Sequence, residues 1–189
     1  MSIYKYEDMS KFLSFILRHH PEYLDLKMDK AGWVSVDELI EKVNNDRDVK
    51  FTLEHLQELV ETNNKQRFAL EERRDGLFIR ANQGHSIKGL NMGYKPVEPP
   101  DILYHGTGQK FVSGIQKKGL LAKSRQYVHL STSIEVATSV GERHGNPVIF
   151  EVDAKKMYKD GIEFFCSENG VWLTETVHKK YLKVLKDGK

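Results

Sequence analysis

The stretch Arg67-Phe68-Ala69-Leu70-Glu71-Glu72-Arg73-Arg74-Asp75-Gly76-Leu77-Phe78-Ile79-Arg80 decides the reading of the first half of the chain. Two apolar runs flank Asp75-Gly76, a pair that readily takes the positive φ of a tight turn, so the stretch predicts a β-hairpin. The residues before it follow a different period. Phe12, Leu13, Ile16 and Leu17 recur at helical spacing, and Pro21 stops that helix. Ser35 followed by Glu38 reads as a capping box ahead of Leu39, Ile40 and Val43. Thr52 caps a further helix carrying Leu53, Leu56, Leu59 and Val60, which Asn63-Asn64 ends. Helices followed by a hairpin predict a winged-helix arrangement over residues 1–92.

Outward from the hairpin, Gly93-Tyr94-Lys95-Pro96-Val97-Glu98-Pro99-Pro100 reads as an extended linker over 93–100, because proline fixes φ and restrains the residue before it. Residues 101–189 then read as a mixed α+β unit. Ile102–His105, Val128–Leu130, Val148–Val152 and Gly170–Leu173 are expected as strands, with helices over Gly114–Gly119 and Ile134–Gly141. The expected fold class is α+β, in two units.

A hydrophobic fraction of 39% with 30% charged residues is that of a folded chain and excludes a disordered one. No apolar run approaches the roughly 20 residues of a membrane span, and the N-terminus lacks the apolar core of a signal peptide. No membrane partner is expected. Cys166 is the only cysteine, which excludes an internal disulfide and a cysteine-based zinc site. It predicts a reducing, cytoplasmic setting. The net charge of +2 is split as 15 basic against 16 acidic side chains in residues 1–97 and 14 against 11 in residues 98–189. A polyanion must therefore be held by a local cluster of arginines, not by a general basic field.

Arg18-His19-His20 closes the first helix, where the helix dipole favours cations whatever the function. The same residues suit an anion clamp: arginine offers a planar fork to phosphate, and histidine exchanges a proton near neutral pH. Lys65 and Arg67 open the hairpin. Arg67 precedes an apolar strand and is expected to point inward, while Arg73 and Arg74 read as solvated charges balanced by Glu71 and Glu72. Asn82-Gln83-Gly84-His85-Ser86 reads equally well as a ligand-approaching loop and as a plain connection. Tyr104-His105-Gly106-Thr107-Gly108 reads as a strand ending in small residues, where glycine lets a nucleotide approach the backbone, or as a tight turn. Within Arg125-Gln126-Tyr127-Val128-His129-Leu130-Ser131, His129 suits either a ligand-facing role or a hydrogen-bonded place in the core. Arg143-His144-Gly145 suits a surface loop. There is no GxGxxG fingerprint and no Walker sequence, and neither a metal-binding HExxH nor the GxSxG of a serine hydrolase occurs.

The order of these segments is more specific than any one of them. Arg18-His19-His20-Pro21, Gly32-Trp33-Val34, Arg67-Phe68, Asn82 to Ser86, Leu103 to Thr107, Arg125 to Ser131 and Asn169-Gly170-Val171-Trp172-Leu173 form a succession that resembles the RNA 2′-phosphotransferase family of the KptA type over nearly the whole chain. The resemblance implies a winged-helix N-terminal lobe and an ADP-ribosyltransferase-like C-terminal lobe with mixed strands and few helices. It implies Arg18, His19, Arg67 and Arg125 as the catalytic group. It implies Tyr104, His105, Gly106, Thr107, His129, Ser131 and Val171 as the NAD site. Lys65, Asn82, Gln83, Gly84, His85 and Arg143 are then expected to contact the RNA and its phosphate. Val171 stands where many ADP-ribosyltransferases carry a glutamate. Tyr127 departs from a common His, and His178-Lys179 from common prolines.

The implied reaction consumes NAD⁺ and needs no metal. The RNA 2′-phosphate attacks the ribose carbon bonded to nicotinamide. The ADP-ribose 2″-hydroxyl then attacks phosphorus, leaving 2′-OH RNA and ADP-ribose 1″,2″-cyclic phosphate. The substrate is its own nucleophile, so no reactive Ser or Cys is required. Arginines orient the phosphate and stabilise its charge, and His19 is the expected acid for the departing 2′-oxygen. The expected partner is a tRNA-like RNA carrying a 2′-phosphate, and the expected state is a monomer. Two other readings share parts of the sequence. An ADP-ribosyltransferase acting on a terminal phosphate or a protein would share Tyr104 to Thr107 and Val128 to Ser131, but has no use for Arg18-His19 with Arg67. A non-enzymatic winged-helix nucleic-acid binder is opposed by the near-neutral first half and the lack of a strongly basic recognition helix.

Overall fold

A computed structural model of the chain describes residues 6–63 and 65–185. The chain divides into two compact units, Met1–Gly93 and Tyr94–Lys189. Residues 1–5, part of the stretch read for a signal core, and Asn64 lie outside the described residues.

In the first unit, α1 spans Tyr6–Arg18, with Glu7 and Asp8 in its first turn and Arg18 in its last. That polarity is the one the helix dipole favours. Pro21 opens a 3-10 turn over Pro21–Leu24. Then follow β1 (Val34–Ser35), α2 (Val36–Arg47), α3 (Leu53–Glu61), β2 (Phe68–Arg73) and β3 (Gly76–Ala81). The strands form an antiparallel sheet in the order β1-β3-β2, with Val34 opposite Ile79 and Phe68 opposite Ala81. Leu13, Ile16, Leu17, Leu39, Leu56 and Ile79 are fully buried in one core, each contributing roughly 1.5–3 kcal/mol of burial.

Of the two expected caps, one forms. Ser35 stands at the N-cap of α2 but makes no side-chain cap bond. It is held instead in β1 opposite Phe78, and Glu38 accepts from the Lys27 backbone N–H at 3.1 Å. Thr52 does cap α3, with the His55 ring completing the reciprocal pair at 3.2 Å. That helix stops at Glu61, before Asn63, because the Thr62 N–H and hydroxyl both bond the Glu58 carbonyl, at 2.9 and 2.6 Å.

The second unit contains β4 (Ile102–Gly108), α4 (Val112–Lys118), β5 (Leu120–Leu121), β6 (Val128–Leu130), α5 (Ile134–Glu142), β7 (Pro147–Asp153), α6 (Ala154–Lys159), β8 (Phe165–Cys166), β9 (Trp172–Thr174), β10 (Thr176–Val177) and β11 (Leu182–Leu185). They build small antiparallel sheets in the orders β11-β7-β4, β6-β9-β8 and β10-β5. A single bridge, Tyr104 to Ser131, ties β4 to β6. Residues 93–100 carry no helix or strand, and the Val97 N–H donates to the Phe164 carbonyl at 2.8 Å.

The glycines of the Tyr104–Gly108 segment are used for packing. The strand does not end at His105 but runs on to Gly108 against β7. α5 lies so close to it that a Cβ on Gly106 would meet the Ala137 carbonyl oxygen at 1.6 Å, and one on Gly108 would meet the His144 carbonyl oxygen at 2.4 Å. Gly141 answers from the helix side, 2.9 Å from the Thr107 oxygen by the same measure. The strand expected from Gly170 begins only at Trp172. Before it, the Ser167 backbone and hydroxyl hold Val171 in a turn, at 3.0 and 3.1 Å. Among the described residues no helix is long and apolar enough to cross a membrane.

Candidate functional site

In the first unit the polar residues gather where the loop after β3 meets the end of α1. A helix leaves its last carbonyls without intrahelical donors. Here Ser86 supplies one: its backbone N–H donates to the Arg18 carbonyl at 3.0 Å. The Ser86 hydroxyl lies 2.9 Å from His19 Nδ1, so one residue fixes both the helix end and the imidazole. Gly84, at φ +88°, carries the loop over Arg18, where a Cβ would stand 3.7 Å from the Arg18 side chain. Asn82 anchors the start of the loop through its N–H to the Arg67 carbonyl (2.9 Å) and its amide to the Gln66 carbonyl (2.6 Å).

His85 closes the loop from inside. It is 2% exposed, and its Nε2 has no hydrogen-bond partner among the described residues. Burial, and then the positive neighbours Arg18, Arg80 and His19, push its pKa down to about 4, so it is neutral at physiological pH. Asn82 is buried as well, at 5% exposure. Both act here as internal supports, while Gln83 and Ser86 keep part of their surface.

Arg67 takes the partly inward position expected of it. Its Nη1 donates to the Ser10 hydroxyl at 3.2 Å, and the Asn63 amide donates to the same oxygen at 3.1 Å. Lys65 and Arg67 border an open depression of about 230 Å³ with Glu7, Ser10, Thr62 and Asn63. Ser10 precedes Arg18 on α1 by about two turns, or about 12 Å along the axis. At the far end of the hairpin, Arg73 is less solvated than expected. Glu71 engages it at 2.6 Å, as read, but so does Asp29 at 3.2 Å, and its guanidinium lies over the Trp33 and Phe78 rings.

In the second unit the candidates line the junction of β4 and β6. The backbones of Tyr104 and Ser131 exchange hydrogen bonds at 2.8 and 2.9 Å. The His105 ring reaches across to the His129 carbonyl, 3.0 Å from Nδ1. A carbonyl only accepts, so Nδ1 of His105 carries the proton and Nε2 is left as an acceptor. Burial first, opposed by that hydrogen bond and assisted by the charges of His144, Arg125 and Lys123, lowers the His105 pKa and keeps the ring neutral. Arg125 Nη1 donates to His129 Nδ1 at 2.8 Å. A guanidinium has no acceptor, so the lone pair of His129 faces Arg125. Arg125 is exposed overall, yet packing around its guanidinium and then the charge of Arg143 lower its pKa. It remains cationic at neutral pH.

Thr107 is buried on β4 beside Gly106, and Val171 stands just before Trp172, which pairs with Leu130 across β9 and β6. Arg143 is exposed at the end of α5. Among the described residues no three His, Cys, Asp or Glu side chains stand together as a metal site. Sequence reasoning did not select Ser10 or Lys123, and named Ser86 and His144 only as members of their segments, without a role. Each acts on a residue to which a role was given.

The sequence profile described as "RNA 2′-phosphotransferase, Tpt1 / KptA family" matches residues 5–176. A protein of Acaryochloris marina (strain MBIC 11017) named "probable RNA 2′-phosphotransferase" is 49% identical over 173 residues, covering 92% of this chain and 93% of its own. Proteins of the same name from Pseudomonas syringae pv. tomato (strain ATCC BAA-871 / DC3000) and Flavobacterium johnsoniae (strain UW101) are 46% and 48% identical. They cover 96% and 94% of this chain, and 95% of their own length in both cases. Seven short segments in one order find their explanation here: the chain belongs to the RNA 2′-phosphotransferase family of transferases.

Proposed function

We propose that this chain removes a 2′-phosphate from RNA in two steps and consumes NAD⁺ as co-substrate. The first unit acts as a winged-helix lobe for the RNA phosphate, and the second as an ADP-ribosyltransferase-like lobe for the dinucleotide. Beside family membership, the observation that carries the reading is the single residue Ser86 holding both the Arg18 carbonyl (3.0 Å) and the His19 ring (2.9 Å). A helix end with an arginine and a pinned imidazole suits a phosphate that must be gripped and then relieved of its RNA oxygen.

NAD⁺ supplies a ribose carbon made electrophilic by the departure of neutral nicotinamide. The second unit's donor set fits that co-substrate. Ser131, Thr107 and the neutral acceptor of His105 suit sugar hydroxyls, while the cations of Arg125 and Arg143 are kept for the RNA phosphate. Val171, just before β9, puts no carboxylate at its position to compete for the sugar hydroxyls. Arg18 binds and orients the 2′-phosphate through its planar fork. Arg67 and Arg125 stabilise the charge that builds on the phosphoryl oxygens. His19, held at Nδ1, presents Nε2 to protonate the RNA 2′-oxygen as it leaves. Lys65, Gln83 and Gly84 border the path of the RNA strand. The RNA is tRNA-like, and the enzyme works as a cytoplasmic monomer.

The test is nicotinamide release from NAD⁺ by the purified protein, with RNA oligonucleotides bearing a 2′-, 3′- or 5′-phosphate or none. Release that requires the 2′-phosphate is expected. Release driven equally by a terminal phosphate, or absent with every RNA, would overturn the reading.

A further inference from the structure

We infer that the exposed aromatic rings at the end of α1 form a stacking platform for an unpaired RNA base next to the 2′-phosphate. The inference deepens the function proposed above and rests on it. A row of rings begins at His19. The His20 ring follows at 6.4 Å, Phe15 lies 4.6 Å from His20 and within 33° of its plane, and Tyr23 stands 6.1 Å from Phe15. The row ends at Phe12, which meets Tyr23 edge-on at 6.2 Å and has one face covered by the Arg47 guanidinium at 3.8 Å.

The middle of this row is open. Phe15 is 41% exposed and Tyr23 55%, the Tyr23 value being the largest among the exposed large hydrophobics. The rings are nevertheless held in place. The His20 N–H donates to the Phe15 carbonyl at 3.2 Å, the Tyr23 N–H to the His20 carbonyl at 3.1 Å, and His20 Nδ1 is bonded to Glu22 at 2.9 Å. The 3-10 turn after Pro21 thus folds Tyr23 back onto the helix face that carries Phe15.

Area and charge select the occupant. A buried aromatic ring removes about 150–250 Å² from water. The exposed parts of two such rings fall far short of the roughly 800 Å² per partner of a stable protein interface, but match a base face. The row starts at the residues proposed to hold the phosphate. A nucleotide there meets cations with its phosphate and π-faces with a neighbouring base. Stacking is tolerant of base identity, so the platform fits an enzyme that reads a 2′-phosphate and not a sequence.

The experiment uses the full chain and a short single-stranded RNA with one internal 2′-phosphate. Labelled RNA without NAD⁺ gives Kd by anisotropy, and nicotinamide release gives KM and kcat. Tyr23→Ala and Phe15→Ala are expected to raise Kd and the KM for RNA about tenfold, while kcat at saturating RNA and the KM for NAD⁺ move less than twofold. Tyr23→Phe should keep wild-type affinity. With RNA made abasic on both sides of the phosphorylated nucleotide, wild type and both alanine variants should converge. Unchanged Kd in the Tyr23→Ala variant, with its melting temperature retained, overturns the platform. So does a loss that is the same on abasic RNA. Sedimentation decides the remaining case: a wild-type dimer that Tyr23→Ala dissolves would give the patch to a second copy. The anisotropy arm stands without turnover, so failure of the catalytic reading and failure of the platform are told apart.

Discussion

Ser86 and His19 lie 67 residues apart in sequence and meet at 2.9 Å, hydroxyl to Nδ1. The bond fixes which ring nitrogen faces away from the loop, and with it the direction in which the imidazole can pass a proton. Ser86→Ala keeps the backbone bond to Arg18 and removes only the ring's partner. A hydrogen bond is worth about 1 kcal/mol, so a five- to tenfold fall in single-turnover phosphate removal is expected, with the KM for NAD⁺ unchanged. Ser86→Thr should recover most of the rate, and the melting temperature should barely move. A rate equal to wild type in the alanine variant would remove Ser86 from any part in positioning.

His85 makes the first unit sensitive to acid. The unfolded chain takes up a proton there near pH 6.5, whereas the folded unit resists down to about pH 4. Between those values the unfolded state binds more protons, so stability rises with pH. The contribution is fully present above about pH 6.5 and is lost as pH falls toward 4. Its size is on the order of 3 kcal/mol. Urea midpoints measured from pH 4 to 7.5 should rise steadily in wild type, and the slope should flatten in His85→Gln. Equal slopes in the two proteins would place the acid sensitivity elsewhere.

How much of this was legible in the sequence depends on how local each signal is. Thr52 announces a cap through chemistry contained in a few neighbouring residues and is found where expected. The hairpin read from Asp75-Gly76 instead turns one residue earlier, at Arg74-Asp75, with Gly76 already paired to Arg73. The strands β1, β5, β8 and β10 have two residues each, too few for any period to show. α6 follows directly on β7, capped by Asp153, and the apolar run of the strand masks its start. At the candidate site, Arg18, Arg67 and Arg125 were singled out through the family resemblance, since a lone arginine suits a helix end or a solvated loop as well as a phosphate. Ser10 was not, and Ser86 was named only as the end of the Asn82 to Ser86 segment, since their partners lie 53 to 67 residues away and a serine on a helix or loop carries no pattern of its own. Gly106 was legible as a close approach but not as an approach to α5, because the helix that fills the space comes later in the chain.

Gly106 therefore makes a stability prediction distinct from any ligand effect. Gly106→Ala would set a Cβ 1.6 Å from the Ala137 oxygen and 2.5 Å from its carbonyl carbon, both backbone atoms that no side-chain rotation can relieve. α5 must lift from β4, at a cost on the order of 3 kcal/mol or more. The melting temperature of the second unit should fall on the order of 10 °C. Gly114→Ala, inside α4 where a Cβ meets nothing within 4 Å, is the control and should hold it or raise it slightly. If the Gly106 variant melts with the wild type, the close approach of strand and helix is not as tight as drawn.

Arg125 can be tested against its own charge. Its Nη1 donates to His129 Nδ1 at 2.8 Å, and on the proposed function the rest of the guanidinium fork meets a phosphate oxygen, a division of labour that a single ammonium cannot reproduce. Arg125→Ala should lower the rate of phosphate removal on the order of 10²-fold or more, as the loss of a donor aimed at transition-state charge does. Arg125→Lys should recover little of it despite keeping the positive charge. Single-turnover rates on 2′-phosphorylated RNA at saturating NAD⁺ distinguish the two cases. A lysine variant within a few-fold of wild type would mean that Arg125 serves only as a point charge, and its bond to His129 would then be incidental to the chemistry.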